Sequence, residues 1–147
     1  MKKILIVFLV VAALLAFAVN NSTPDSTATE IGFFKGSWKQ VLDKAKKENK
    51  PIFVDISASW CGPCKLLKKE TFTNKEVVKY YNDNFINVAL DGEVGDGAAL
   101  AQKFQIPGYP TLIILDKNES PLIATVGFIP AGEFLKFGKD GLAKLKK

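Results

Sequence analysis

Histidine and arginine are both absent from these 147 residues, and cysteine occurs only twice. Without histidine, Ser-His-Asp and Cys-His catalysis are excluded, and so is any imidazole metal ligand. Two cysteines alone cannot complete the tetrahedral ligand set of a structural zinc site. Every one of the 20 basic residues is lysine, set against 15 acids for a formal charge of +5. Bidentate recognition of phosphates and bases favours arginine, so nucleic-acid binding is not expected, and the scattered lysines read as a solvated face. Met1 is the sole methionine, which leaves a Cu(I) carrier built on the two thiolates without supporting ligands. The acidic residues Asp91, Glu93 and Asp96 lack the ligand spacing of a calcium loop. The sequence therefore calls for no cofactor and no metal.

What remains is concentrated in one stretch, Ser59-Trp60-Cys61-Gly62-Pro63-Cys64. A structural disulfide gains most by closing a long loop. A bridge over Gly62 and Pro63 alone constrains almost nothing in the unfolded chain, so the spacing argues for exchange chemistry over stapling. At a helix N-terminus, unpaired N–H groups and the helix dipole favour the Cys61 thiolate, the attacking species in thiol–disulfide exchange. Pro63 fits the first turn of a helix, and Gly62 leaves room for a partner chain. Cys61 is expected to be the exposed nucleophile. Cys64, one turn further in, is expected to be more buried and to resolve the mixed disulfide.

The chain begins with Lys2 and Lys3, then a nearly unbroken apolar run from Ile4 to Val19 containing Ala16-Phe17-Ala18. This reads as a secretory signal peptide over 1–18, with an uncleaved membrane tether as the alternative. Residues 19–30 are rich in Asn, Ser, Thr, Pro and Asp and read as a flexible linker. Residues 31–147 form one domain. The expected location is periplasmic or otherwise exported.

Within that domain, Ser37 and Gln40 fit a capping box, and Trp38, Val41, Leu42 and Ala45 repeat at helical spacing up to about Asn49. Ile52–Ile56 is apolar and reads as a buried central strand. A helix follows the cysteines over Lys65–Glu70. Thr73 with Glu76 gives a second capping box, ahead of Val77, Val78 and Tyr81. Phe85–Leu90 reads as a strand and 91–97 as a Gly-rich acidic loop, with Asp96 capping a helix that carries Leu100, Ala101 and Phe104. Thr111–Leu115 and Leu122–Val126 form a hairpin. Pro130 opens a last helix with Phe134, Leu135, Phe137, Leu142 and Leu145 as core candidates; Gly138 and Gly141 weaken that assignment. Alternating helices and strands followed by a hairpin predict an α/β fold, a mixed sheet with helices on both faces.

Asp55 lies mid-strand between Val54 and Ile56. A buried carboxylate there has a raised pKa suited to proton transfer with Cys64; an edge position facing water is the alternative. Tyr109-Pro110-Thr111 precedes a strand, and either isomer of that X-Pro bond is open on composition alone.

Trp60-Cys61-Gly62-Pro63-Cys64-Lys65, Asp55 upstream and Pro110-Thr111 before an apolar strand together resemble thioredoxin, over roughly Phe33 to Leu145. Lys50–Asp55 and Glu70-Thr71-Phe72 make the chain similar to the exported branch of the family, as in the C-terminal domain of the electron carrier DsbD. The resemblance implies a thioredoxin fold, a cis Pro110 facing the cysteine pair, and client docking through the backbone of Tyr109. It implies that Trp60 shields the disulfide and helps form the docking surface with Gly62 and Pro63. It further implies a monomeric protein-disulfide reductase, with disulfide-containing clients and a membrane dithiol electron donor. A disulfide oxidase or isomerase, and a non-catalytic binding module, are the alternatives. Three features depart from the family pattern. Asn87, Val88 and Ala89 stand where thioredoxin carries a lysine near the buried Asp, the 91–97 loop is longer, and Tyr109 is bulkier than usual.

Overall fold

The computed structural model describes residues 28–145, so the expected signal peptide and most of the linker lie outside the described residues. Helix α1 (Trp38–Glu48) starts at the Ser37–Gln40 capping box and ends at Asn49, a left-handed cap with φ 52° that asparagine tolerates well. Strand β1 (Ile52–Ser57) leads into α2 (Gly62–Leu66), which widens into a π-helical turn over Leu67–Thr71. Then come α3 (Lys75–Asn84), β2 (Ile86–Asp91), α4 (Gly95–Lys103), β3 (Thr111–Leu115), β4 (Pro121–Val126) and α5 (Ala131–Lys144).

The four strands lie in the order β2-β1-β3-β4. β1 pairs parallel with β2 and antiparallel with β3, and β3 pairs antiparallel with β4. β1 is therefore interior, as its apolar run predicts, and every one of its residues is buried. Side chains alternate along it. Ile52, Val54 and Ile56 join the core formed with Val41 and Ala45 of α1 and Leu100 of α4. Phe53 points to the opposite face, where Leu67, Tyr81 of α3, and Phe134 and Phe137 of α5 assemble. The same alternation sends Asp55 to the Phe53 face, the one covered by the helix that carries the cysteines.

That second core is aromatic. The Tyr81 and Phe134 rings stack at 4.1 Å and 4°, and both meet Phe53 edge-on at 5.0 and 5.2 Å. The Tyr81 hydroxyl donates to the Phe134 carbonyl at 2.8 Å, satisfying a polar group that burial would otherwise leave unpaired. Phe134→Ala is expected to cost about 3–5 kcal/mol through lost burial and the cavity it leaves. A urea melt checks this, and a shift below about 1 kcal/mol would mean that the site collapses freely.

Several local expectations are corrected. Asn74, not Thr73, caps α3: its Oδ1 accepts from Glu76 and Val77 N–H, while the Thr73 hydroxyl turns back to the Lys69 carbonyl at 2.7 Å. Asp96 does not cap α4, since it lies inside that helix. Its carboxylate instead accepts the backbone N–H of Trp38 at 2.6 Å, at the start of α1, where negative charge is favoured. The 91–97 loop shrinks to residues 92–94, because β2 runs through Asp91 and α4 begins at Gly95. Leu145 caps α5 and is exposed, outside the core. Gly138 and Gly141 do not interrupt α5, which runs unbroken through both. A Cβ on Gly141 would lie 2.6 Å from Ile114 Cδ1, so the missing side chain lets the helix seat closely on β3.

Candidate functional site

Cys61 and Cys64 are joined by a disulfide, S–S 2.06 Å with the Cα atoms 5.3 Å apart. Cys61 is the N-cap of α2, in extended conformation, with Pro63 in the first turn. A capping side chain accepts a hydrogen bond from an N–H that the helix leaves free. Here the Cys61 Sγ takes that role, accepting the Cys64 N–H at 3.1 Å. The Cys61 sulfur thus already takes a donor of the first turn at a helix N-terminus. α2 continues through the π turn to Thr71, whose hydroxyl donates to the Ile129 carbonyl at 2.8 Å. That bond ties the helix carrying the cysteines to the segment before α5.

The expectation of an exposed Cys61 does not hold. The residue is 3% exposed, hardly more than Cys64 at 2%. Both sit in a small cluster with Ala58, against which Tyr109 packs. The cause is tertiary: Tyr109, remote in sequence, covers the disulfide. Gly62, Pro63 and Trp60 do face solvent, with Trp60 65% exposed. The Trp60 ring stands edge-on to Tyr109, with centroids 5.9 Å apart at 73°. The Tyr109–Pro110 bond is cis. Pro110 is buried, and its carbonyl accepts the Gly127 N–H at 2.8 Å, fixing the turn that presents Tyr109.

Asp55 is 1% exposed, on an interior strand, so the alternative of an edge position facing water falls away. Neither carboxylate oxygen has a hydrogen-bond partner among the described residues. Burial pushes its pKa up to about 7, opposed by the charge of Lys68. Lys68 follows Cys64 by one helical turn, so the cation near the buried acid comes from the cysteine helix here. The β2 positions Asn87, Val88 and Ala89 supply none. Asn87 is buried and donates to the Tyr81 carbonyl at 3.2 Å. Lys68 could have been read from the four-residue spacing to Cys64.

Glu93, read from the sequence only as an acid of the 91–97 loop, has a partner that reading missed. Its Oε1 accepts the Trp60 indole N–H at 3.0 Å. The two residues lie 33 positions apart, and no local pattern announces the pair.

A helix-capping cysteine pair, a buried acid on the strand beneath and a cis-proline turn alongside define a thiol–disulfide redox protein of thioredoxin architecture. The comparisons agree. A family profile described as thioredoxin-like matches residues 34–117, and the chain belongs to that family. It is similar to the thiol:disulfide interchange protein DsbD of Yersinia enterocolitica, at 30% identity over 147 residues. That match covers 92% of this chain and 25% of the relative. It also matches the solution structure of a proposed disulphide-isomerase from Bacteroides thetaiotaomicron, at 37% identity and a TM-score of 0.70. There, 78% of this chain and 95% of the other are covered. The oxidised C-terminal domain of Neisseria meningitidis DsbD shares the fold, with a TM-score of 0.62 at 23% identity over 75% of this chain and 99% of the domain. The chain thus spans only a quarter of the length of its Yersinia relative. Family, fold and bonded cysteine pair support thiol–disulfide oxidoreductase chemistry at Cys61 and Cys64.

Proposed function

We propose that this protein is an exported protein-disulfide reductase. The observation that carries the reading is the Cys61 sulfur, held at a helix N-cap and already accepting an N–H of the first turn. In the reduced protein the Cys61 thiolate attacks one sulfur of a client disulfide. A Cys61–client bond forms, and one client sulfur leaves as a thiolate. Cys64, its proton passed to Asp55, attacks the Cys61 sulfur and releases the second client thiolate. The client gains two electrons, and Cys61–Cys64 closes as a disulfide. A membrane dithiol donor then reopens it by the same exchange run in reverse. Two electrons enter from the donor and leave to the client by exchange at these two sulfurs alone, so the cycle calls for no cofactor. Trp60, Gly62, Pro63, Tyr109 and Pro110 form the surface on which the client chain docks.

Export rests on residues 1–18 acting as a signal peptide ahead of a linker over 19–30, with the catalytic domain in 31–147. The likeness to DsbD supports an extracytoplasmic setting, where reduction needs a donor on the membrane. Among the described residues no helix is long and apolar enough to cross a membrane. Amino-terminal sequencing of the exported protein tests this, with Val19 the expected first residue.

Direction is tested by the reduction potential. With Gly62-Pro63 between the cysteines, the expected value lies near the thioredoxin figure of about −270 mV, far from the roughly −120 mV of DsbA. Equilibration against glutathione measures it. A potential above about −180 mV would favour the second reading, an isomerase or oxidase, which the likeness to the Bacteroides protein keeps in view. Insulin reduction driven by dithiothreitol separates both readings from a non-catalytic binding module, which shows no turnover.

A further inference from the structure

Asp55 is flanked on its own sheet by side chains that cannot answer its charge. The strand register sets Ala89 of β2 and Leu112 of β3 on either side of it. Directly paired residues share a face, so both of these neighbours are uncharged. Neither carboxylate oxygen has a hydrogen-bond partner among the described residues. The core on that face also holds Tyr81 and, at its margin, Tyr80. The Tyr81 hydroxyl is committed to the Phe134 carbonyl. Burial raises both phenols, so both stay neutral at the pH where Asp55 titrates.

The remaining cover is the helix of the cysteines, which turns Cys64, Leu67 and Thr71 inward. Lys68 stands one turn after Cys64, beside the buried Leu67, with its side chain exposed. Residues four apart on a helix are neighbours. Among the described residues six lysines are held in ion pairs, and Lys68 is in none. Its charge is the one that opposes the burial of Asp55. We propose that Lys68 is a positioning residue of the resolving step. From the helix that carries Cys64, it supplies the positive charge that favours the ionised Asp55 carboxylate, the form able to take the Cys64 proton. The inference rests on the reading of Asp55 as the base of that step and names what sets the pH at which the base is ready. The cation is placed on the helix of the resolving sulfur, while the β2 position that pairs with Asp55 holds only the methyl of Ala89. Because Lys68 is exposed, its hold on Asp55 is open to screening by salt.

The test follows release of a client from its mixed disulfide with Cys61 as a function of pH. It compares the native protein with Lys68→Gln, Lys68→Arg, and Lys68→Gln combined with Ala89→Lys. Lys68→Gln is expected to move the inflection up by about one pH unit, the lower end of what a nearby opposite charge does to a carboxylate. At pH 7 that shift slows release roughly fivefold, and at high pH the two rates converge. Lys68→Arg keeps the charge and should keep the native inflection. Ala89→Lys puts an ammonium on the register partner of Asp55 and should bring the inflection back. Added salt should raise the native inflection and leave that of Lys68→Gln nearly still. A native inflection in Lys68→Gln overturns the proposal. So does an equal shift in Lys68→Arg, or a shift that Ala89→Lys leaves in place while the thermal midpoint stays native. If Asp55→Asn keeps the native pH profile of release, the reading of Asp55 as the base fails by itself. Urea midpoints then still decide whether Lys68 acts on Asp55. Lys68→Gln should lower the midpoint at pH 8, where the acid is ionised, and not at pH 4, and the difference should vanish in an Asp55→Asn background.

Discussion

Cys61→Ser is expected to abolish disulfide reduction, lowering insulin turnover by several orders of magnitude to the uncatalysed background. Removing the nucleophile of a unit that acts together eliminates nearly the whole rate advantage. Serine offers an alcohol of far higher pKa in place of a thiol, and the helix N-cap that favours a thiolate at Cys61 cannot ionise it at neutral pH. Cys64→Ser should behave differently. Attack by Cys61 still proceeds, the mixed disulfide forms, and no internal thiol is present to release it. Client adducts should therefore accumulate, visible as slow-migrating species on non-reducing gels and collapsed by dithiothreitol. The double variant should form none. Equal adduct yields from Cys61→Ser and Cys64→Ser would contradict the assignment of attacking and resolving roles, because near-equal burial of the two sulfurs does not by itself separate them. The loss should not be one of folding, since a bridge over two residues adds little constraint to the unfolded chain.

The parts of this fold legible in the sequence were those set by local physics. Ile52–Ile56 announced an interior strand because both its faces are apolar, and that same run placed a carboxylate where only a core could surround it. Ser37 and Gln40 announced a helix start through a capping pattern contained in four residues. The cysteine pair announced its chemistry because a short bridge has no structural use. What escaped depended on contacts between distant segments. Thr73 and Asn74 are both competent caps, and the choice fell to Asn74 because Thr73 found the Lys69 carbonyl. Asp96 has the residue type of a cap but lies inside its own helix, and its carboxylate accepts the N–H of Trp38, 58 positions away, at the start of a helix that Ser37 caps. Gly138 and Gly141 read as weak points of the last helix until β3 and Tyr81 are brought against them. Cys61 read as exposed because nothing near it in sequence covers it, whereas Tyr109 does so from across the domain. Glu93 stood out only as one acid of the 91–97 loop, since its partnership with Trp60 is defined only by the closed fold.

Asp55 gives the sharpest pH dependence. An ordinary aspartate ionises near 3.8, and this one is pushed to about 7 by burial, with Lys68 pulling the other way. Below about pH 4 the group is protonated both folded and unfolded and does not affect the balance. Between about 4 and 7 the unfolded chain releases the proton while the folded chain keeps it, so stability falls as pH rises. Above about 7 both are ionised, and the full penalty remains. Some three pH units at 1.36 kcal/mol each bring that penalty to the order of 4 kcal/mol. Asp55→Asn keeps the shape and removes the ionisation. It should match the native protein at pH 4 and exceed it by up to about that amount at pH 8, as read from urea midpoints at the two pH values. Function should move in the opposite sense. If the Asp55 carboxylate takes the proton from Cys64, resolution of the mixed disulfide must accelerate as pH rises through about 7. Loss of that base should slow resolution by roughly a hundredfold at pH 8 and erase the inflection. Stopped-flow release of a trapped client measures it. A variant that gains stability yet keeps the native pH profile of release would show a buried acid that burdens the fold and takes no part in the exchange.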